Sequence, residues 1–220
     1  MLICIYDLDT CTRMVEMALN SKNTEKIVSA AIELLKHNDY SSVQVKDICN
    51  AARVPRSSFY SVFSGKDDIL MYVLRGYKDD FESTMRVLLN TDSSLEKLWV
   101  LYDKYLALAD YFGPHLLSAM FTLELEGKLR FTSGIDEYLS KYIEWFFRFV
   151  RDCQSEGVIR NSGAAEKLVP VGKKLAFFVV YEWCVDGGEF ELRDRAFAVI
   201  EDFYDVAPHS RGLRPKSCKK

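Results

Sequence analysis

Glycine and proline are scarce, with 11 and 5 among 220 residues. That is about half of ordinary usage, which argues against a turn-rich all-β fold and against low complexity. Six cysteines are present (Cys4, Cys11, Cys49, Cys153, Cys184, Cys218), but no two have Cys-x-x-Cys spacing. Neither a disulfide framework nor a zinc site is indicated, and a reducing interior is the simpler home. His37, His115 and His209 stand too far apart to suggest a metal. The longest near-continuous apolar run, Leu175 to Val185, is 11 residues interrupted by Glu182, about half of the ~20 that a spanning helix needs. The opening Met-Leu-Ile-Cys-Ile-Tyr is followed at once by Asp7 and Asp9, unlike the basic start and longer apolar core of a secretory signal. No nucleophile–base motif or glycine-rich phosphate loop is present. These absences predict a soluble, cytoplasmic protein that is not an enzyme, with no membrane partner, no metal and no cofactor.

What the chain does have is apolar bulk and uneven charge. With 49% hydrophobic residues, it can bury a core without staples. Net charge is −3 overall, but it runs −2 over residues 1–21, +3 over 22–66, −9 over 67–206 and +5 over 207–220. A small basic segment on a larger acidic body suits a protein that touches a polyanion at one end. A chance surface fluctuation suits it equally.

Periodicity beyond residue 22 is helical throughout, so the expected fold is all-α with about nine helices. Ile27, Ala30, Ala31, Leu34 and Leu35 form one stripe behind a Thr24 cap. Val45 to Ala52 forms a second, short helix. Pro55 opens a third that runs to about Val62, and Ser64-Gly65 closes it. A long fourth helix runs from Lys66 to about Leu89. Ser94 to Phe112 follows, then Pro114 to about Glu126, Ile135 to Ser155, Ala164 to Asp186 and Leu192 to Asp205.

Three short helices with a tight turn between the second and third make a helix-turn-helix layout, in which the later helix enters the major groove. Pro55-Arg56-Ser57-Ser58 places small donors and a guanidinium where base edges are reached. Phe59 and Phe63, four apart, hold that helix to the core. Tyr60 and Lys66 offer groups that bind phosphate.

The run Ile27-x-x-Ala30-Ala31-x-x-Leu34-Leu35, Tyr40, Val45-Lys46-Asp47-Ile48-Cys49-x-Ala51-Ala52-x-Val54, Phe59-Tyr60-x-x-Phe63-x-x-Lys66-x-x-x-Leu70 resembles the DNA-binding domain of the TetR repressors. The resemblance implies a helix-turn-helix domain (22–68) after an N-terminal extension (1–21), then a ligand-binding and dimerisation domain (69–206), while the basic tail (207–220) reads as a solvated, disordered end. It implies double-stranded DNA as partner, with Gln44, Lys46, Arg53, Pro55, Arg56, Ser57, Ser58, Tyr60, Ser61 and Lys66 at the interface. Tyr60 and Lys66 match the family's phosphate-binding tyrosine and lysine. The family usually has glycine at the positions of Arg53 and Asp39, and serine and glycine at those of Pro55 and Ser57. Arg53 at a turn wanting positive φ costs about 1 kcal/mol, which contact with a phosphate would offset.

Residues 95–150 hold 13 aromatics. They read as core packing residue by residue, and as a pocket for a small apolar or aromatic ligand on the resemblance. The pocket candidates are Trp99, Tyr102, His115, Phe121, Glu124, Tyr142, Trp145, Phe146 and Phe149. The run from Leu175 to Val185 is apolar nearly all round, so it is buried in a core or between subunits. A homodimer interface of Leu175, Phe178, Val179, Trp183, Phe197, Ile200 and Phe203 is expected, in keeping with the family's paired final helices. Cys49 reads as a packed thiol. Met14 or Met17 is an alternative initiator. The function expected is a ligand-released homodimeric repressor on a pseudo-palindromic operator. The alternatives are an adaptor of the same fold that binds protein, left open by the Arg53 and Asp39 departures, and a small helical enzyme using His115 and Glu124.

Overall fold

The computed structural model describes residues 22–76, 81–129 and 140–214. The chain divides into two compact units, one ending at Tyr77 and the other starting at Lys78. Expectations about residues 1–21, the initiator methionine included, lie outside the described residues.

The first unit holds four helices: α1 (Lys22–His37), α2 (Val45–Ala52), α3 (Arg56–Tyr60) and α4 (Lys66–Gly76). The expected stripe of α1 is buried at Ile27, Ala31 and Leu35, and α1 packs against α2, whose Ile48, Cys49 and Ala52 are buried too. Thr24 is not a cap, because the helix starts before it and its side chain is fully buried. Helix α3 is five residues long, too short to persist by its own hydrogen bonds, so packing must hold it. Phe59 supplies that packing at 0% exposure. Its ring lies 5.8 Å from that of Phe63, which meets Tyr72 of α4 at 5.7 Å. Truncating Phe59 to alanine would cost about 3–5 kcal/mol. Helix α4 lies whole in this unit, whereas the sequence reading ended the first domain at residue 68.

The larger unit holds α5 (Phe81–Leu89), α6 (Ser94–Leu125), α7 (Ile143–Ser155), α8 (Ala165–Val185) and α9 (Leu192–Phe203), with 3-10 turns at Ser140–Tyr142 and Pro208–Ser210. Nine α-helical segments therefore occur among the described residues. The expected Lys66–Leu89 helix is helical over 66–76 and 81–89, residues 77–80 lying outside the described residues, and the expected break at Gly113-Pro114 is a kink between the two arms of α6. Gly113 sits at φ 74°, ψ 164°, a conformation essentially confined to glycine. Pro114, without an N–H, starts the second arm. At the other end, the Ser93 hydroxyl caps α6 by accepting from the Glu96 N–H at 3.3 Å.

Helix α8 packs between α6 and α9, with α7 against both α6 and α8. Trp99, Tyr102, Phe112, Tyr142, Phe146, Phe197 and Tyr204 fill the centre and are essentially unexposed. No described helix is long and apolar enough to cross a membrane. Residues 207–214 of the tail are held to this unit, against the expectation of disorder. Val206 bridges to Ile159, the Ala207 N–H donates to the Val158 carbonyl at 2.9 Å, Arg211 pairs with Asp202 at 2.5 Å, and Arg214 pairs with the buried Glu201 at 2.6 Å. Glu201 is a buried acid that needs this cation and the Gly212 N–H at 3.0 Å.

Candidate nucleic-acid interface

The turn from α2 to α3 decides where α3 points. Arg53 adopts φ 55°, ψ 46°. The Arg53 N–H donates to Asn50 O at 3.2 Å and the Val54 N–H to Cys49 O at 3.0 Å, the paired bonds of a Schellman stop. The arginine thus takes the left-handed form that its position demands, and the family's glycine is not required for the turn. Pro55, at φ −68° and ψ 152°, is the N-cap, and α3 begins at Arg56.

This places the expected interface residues on one stretch of surface. Gln44, Lys46, Arg53, Pro55, Arg56, Ser57, Tyr60 and Ser61 are exposed, and Ser58 is half-buried. Lys46, Arg53 and Arg56 have no ion-pair partner among the described residues. Nearby acids are engaged internally: Asp47 accepts from the Gln44 N–H at 2.9 Å, Asp68 accepts from the Ser64 N–H at 2.7 Å, and Asp67 accepts from the Tyr40 hydroxyl. Free cations beside satisfied carboxylates give a face that attracts phosphate. Behind it, burial pushes the Cys49 thiol's pKa up, partly opposed by the Arg56 charge. Ser61 donates to Ser58 O at 2.9 Å, so its hydroxyl is left chiefly as an acceptor.

Lys66 differs from expectation. Its ammonium donates to the carbonyls of Tyr40 and Val43 and stands 3.9 Å from the centre of the Tyr40 ring. Burial lowers its pKa, partly opposed by Asp67. It clasps the α1–α2 loop to the start of α4, and at most one of its three N–H donors is left for a phosphate. No sequence signal separates these roles, since both need a lysine at the same place.

The larger unit corrects the pocket expectations. An apolar slot lies between the two arms of α6 and helix α8, lined by Tyr105, Leu108, Ala109, Leu117, Phe121, Phe177 and Val180, with room for about 20 Å³. Of the nine candidates only Phe121 lines it. Trp99, Tyr102, Tyr142, Phe146 and Phe149 are core. The Tyr102 hydroxyl lies 2.7 Å from that of Tyr204, and burial, with the Tyr204 contact, raises its pKa well above 10.0. Trp145 is half-buried and tilts against Phe149 at 5.7 Å, while His115 and Glu124 are half-buried outside the lining. Phe131 and Tyr138 lie outside the described residues.

The interface expectation is corrected too. Val179, Phe197 and Ile200 are buried within this chain and have no surface to offer a partner. Leu175, Trp183 and Phe203 are half-buried, while Phe178 is 55% exposed. Val171, Tyr181 and Val185 are exposed with it. Spacings of seven and three residues set these side chains along one side of α8.

Residues 27–73 match the family model described as bacterial regulatory proteins, tetR family. Over 182 residues the chain is similar to the fatty acid metabolism regulator protein of Bacillus subtilis (strain 168), at 29% identity covering 80% of this chain and 91% of that one. Two solved structures have the same fold. The regulatory protein TetR from Rhodobacter sphaeroides is 22% identical with a TM-score of 0.56, covering 84% of this chain and 98% of that one. The regulator FadR from Bacillus subtilis, in complex with stearoyl-CoA, is 22% identical with a TM-score of 0.55, covering 82% and 97%. With a matching domain over residues 27–73, a helix-turn-helix built on the matched residues and the same all-helical fold around it, the chain carries a DNA-binding domain of the tetR family and is similar to its regulatory proteins.

Proposed function

We propose that this protein is a homodimeric repressor that binds a pseudo-palindromic operator in the bacterial cytoplasm and leaves it when a small, largely apolar ligand occupies the larger unit. The observation that carries the reading is the joint exposure of Arg53, Arg56, Ser57 and Tyr60 on one surface, while Phe59 anchors α3 from behind. Arg56, Ser57 and Ser58 read base edges, with Gln44, Lys46, Arg53, Pro55, Tyr60 and Ser61 on the flanking backbone and groove wall. An intact turn at Arg53 removes one of the two departures behind the protein-binding adaptor.

A second copy fits the α8 face, since Val171, Phe178, Tyr181 and Val185 otherwise leave an apolar stripe in water. Two α3 helices then enter successive major grooves about 34–36 Å apart. Release follows from the slot's small size. Its volume of about 20 Å³ is far below that of a small-molecule site, so a ligand that fills it must part α6 from α8. The ligand therefore prefers a conformation other than the empty one, which is what shifting a two-state equilibrium requires. The stearoyl-CoA held by the similar FadR structure makes acyl compounds the first class to test.

Selection of bound duplex from a random pool tests the reading. The expected outcome is an inverted-repeat consensus whose affinity falls steeply with salt. Recovery of random sequence, or the absence of any binding at low salt, would overturn it.

A further inference from the structure

One residue that lines the slot carries a polar group that the fold does not use. Tyr105 is 7% exposed and lines the slot, and its hydroxyl has no hydrogen-bond partner among the described residues. The other lining side chains, Leu108, Ala109, Leu117, Phe121, Phe177 and Val180, carry no donor or acceptor. A hydroxyl sealed from water without a partner lowers stability, and phenylalanine would fill the same space without that cost. Three residues earlier, the same helix buries the Tyr102 hydroxyl with a partner, Tyr204, at 2.7 Å, so this core does pair the hydroxyls it merely packs. The Trp99 indole N–H is unpaired as well, but Trp99 is not among the lining residues, and nothing entering the slot meets it.

We propose that the Tyr105 hydroxyl is the ligand's polar anchor, donating a hydrogen bond to one carbonyl or carboxylate oxygen of a molecule whose remaining body is apolar and lies between α6 and α8. The proposal rests on the ligand-release reading and gives the ligand a chemical class: an apolar body ending in an acyl oxygen. An unpaired donor in an apolar wall selects such a ligand over a hydrocarbon of equal size, because only the former satisfies the hydroxyl.

A free fatty acid and an acyl thioester share this oxygen, and the test separates them. The full-length wild type and Tyr105→Phe are each titrated by calorimetry with stearate and with stearoyl-CoA, and each is melted without ligand. The variant is expected to melt about 2–4 °C higher, since it sheds an unsatisfied hydroxyl. It is also expected to bind the effective probe at least about tenfold more weakly. Binding of stearate alone identifies the carboxylate as the acceptor. Binding of stearoyl-CoA alone identifies the thioester carbonyl, and binding of both supports the shared acyl oxygen. Equal affinity of the two proteins, a lower melting temperature of the variant, or failure of both probes to bind wild type would each overturn the proposal. The operator reading is judged separately, by duplex selection without ligand.

Discussion

Lys66 Nζ donates a 2.9 Å hydrogen bond to the carbonyl of Val43, 23 residues earlier in the chain. A charged donor shared between two carbonyls is worth about 1–3 kcal/mol. Lys66→Met is therefore expected to lower the melting temperature and to weaken binding to all operators alike. The slope of affinity against salt should stay unchanged, because the bond lost is internal. A slope reduced by about one in a salt titration would instead assign Lys66 to a phosphate.

Arg53 and Arg56 should separate stability from recognition. Arg53→Gly relieves the left-handed conformation and should raise stability by about 1 kcal/mol, while removing one phosphate contact from the salt dependence. Arg56→Ala should leave stability nearly unchanged, cost about 1–3 kcal/mol of operator binding and relax selectivity at one base pair. Melting curves and competition against singly substituted operators measure both. Unchanged operator affinity in both variants would refute the assignments.

Phe178→Glu puts a charge in the middle of the α8 stripe. The expected product is a folded monomer by light scattering. Its operator affinity should be down by about a hundredfold or more, because two linked half-site contacts become one. A variant that stays dimeric would place the interface elsewhere.

Gly172 gives the Tyr102–Tyr204 pair its room. A Cβ there would run into the Tyr102 hydroxyl and lie 3.0 Å from that of Tyr204. Gly172→Ala should cost about 1–3 kcal/mol by overpacking. Adding Tyr102→Phe should recover part of that cost, giving a non-additive cycle in chemical denaturation.

Alkaline stability follows from two buried thiols. Burial raises both Cys153 and Cys184 from 9.0 to about 12, with Glu156 and Asp152 adding to the rise at Cys153 and Ser118 opposing it at Cys184. The unfolded chain loses these protons near pH 9 while the folded chain keeps them. Stability contributed by the neutral thiols is thus fully present below pH 9 and falls as pH rises towards 12, by about 1.4 kcal/mol per pH unit for each group. Cys153→Ala, although less stable at pH 7, should show a shallower decline in denaturation curves taken across that window.

Helix positions and inward faces were legible wherever local chemistry repeats. The stripe of Ile27, Ala31 and Leu35, the Phe59–Phe63 anchor and the break at Gly113-Pro114 follow from spacing and from what glycine and proline cannot do. The exposed residues of the helix-turn-helix were legible for the same reason, since a short helix fixed by one buried aromatic has only one outer side. Arg53 was marked as a strained turn residue through the resemblance, since the family usually has glycine at that position.

Three things depended on packing in space. An apolar residue such as Val179 or Phe197 announces that it avoids water, but not whether its neighbour is its own chain or a second copy, because the transfer free energy is the same in either case. The sequence reading therefore mixed the buried and the exposed faces of α8. The slot at Tyr105 was invisible because a cavity is a shortage of neighbouring atoms, which no residue type signals, and aromatic richness pointed instead to the filled core around Tyr102 and Phe146. Lys66 and the tail arginines Arg211 and Arg214 carry long flexible cations whose partners lie far off in sequence or across a turn, and only the folded chain brings Val43, Asp202 and Glu201 within their reach.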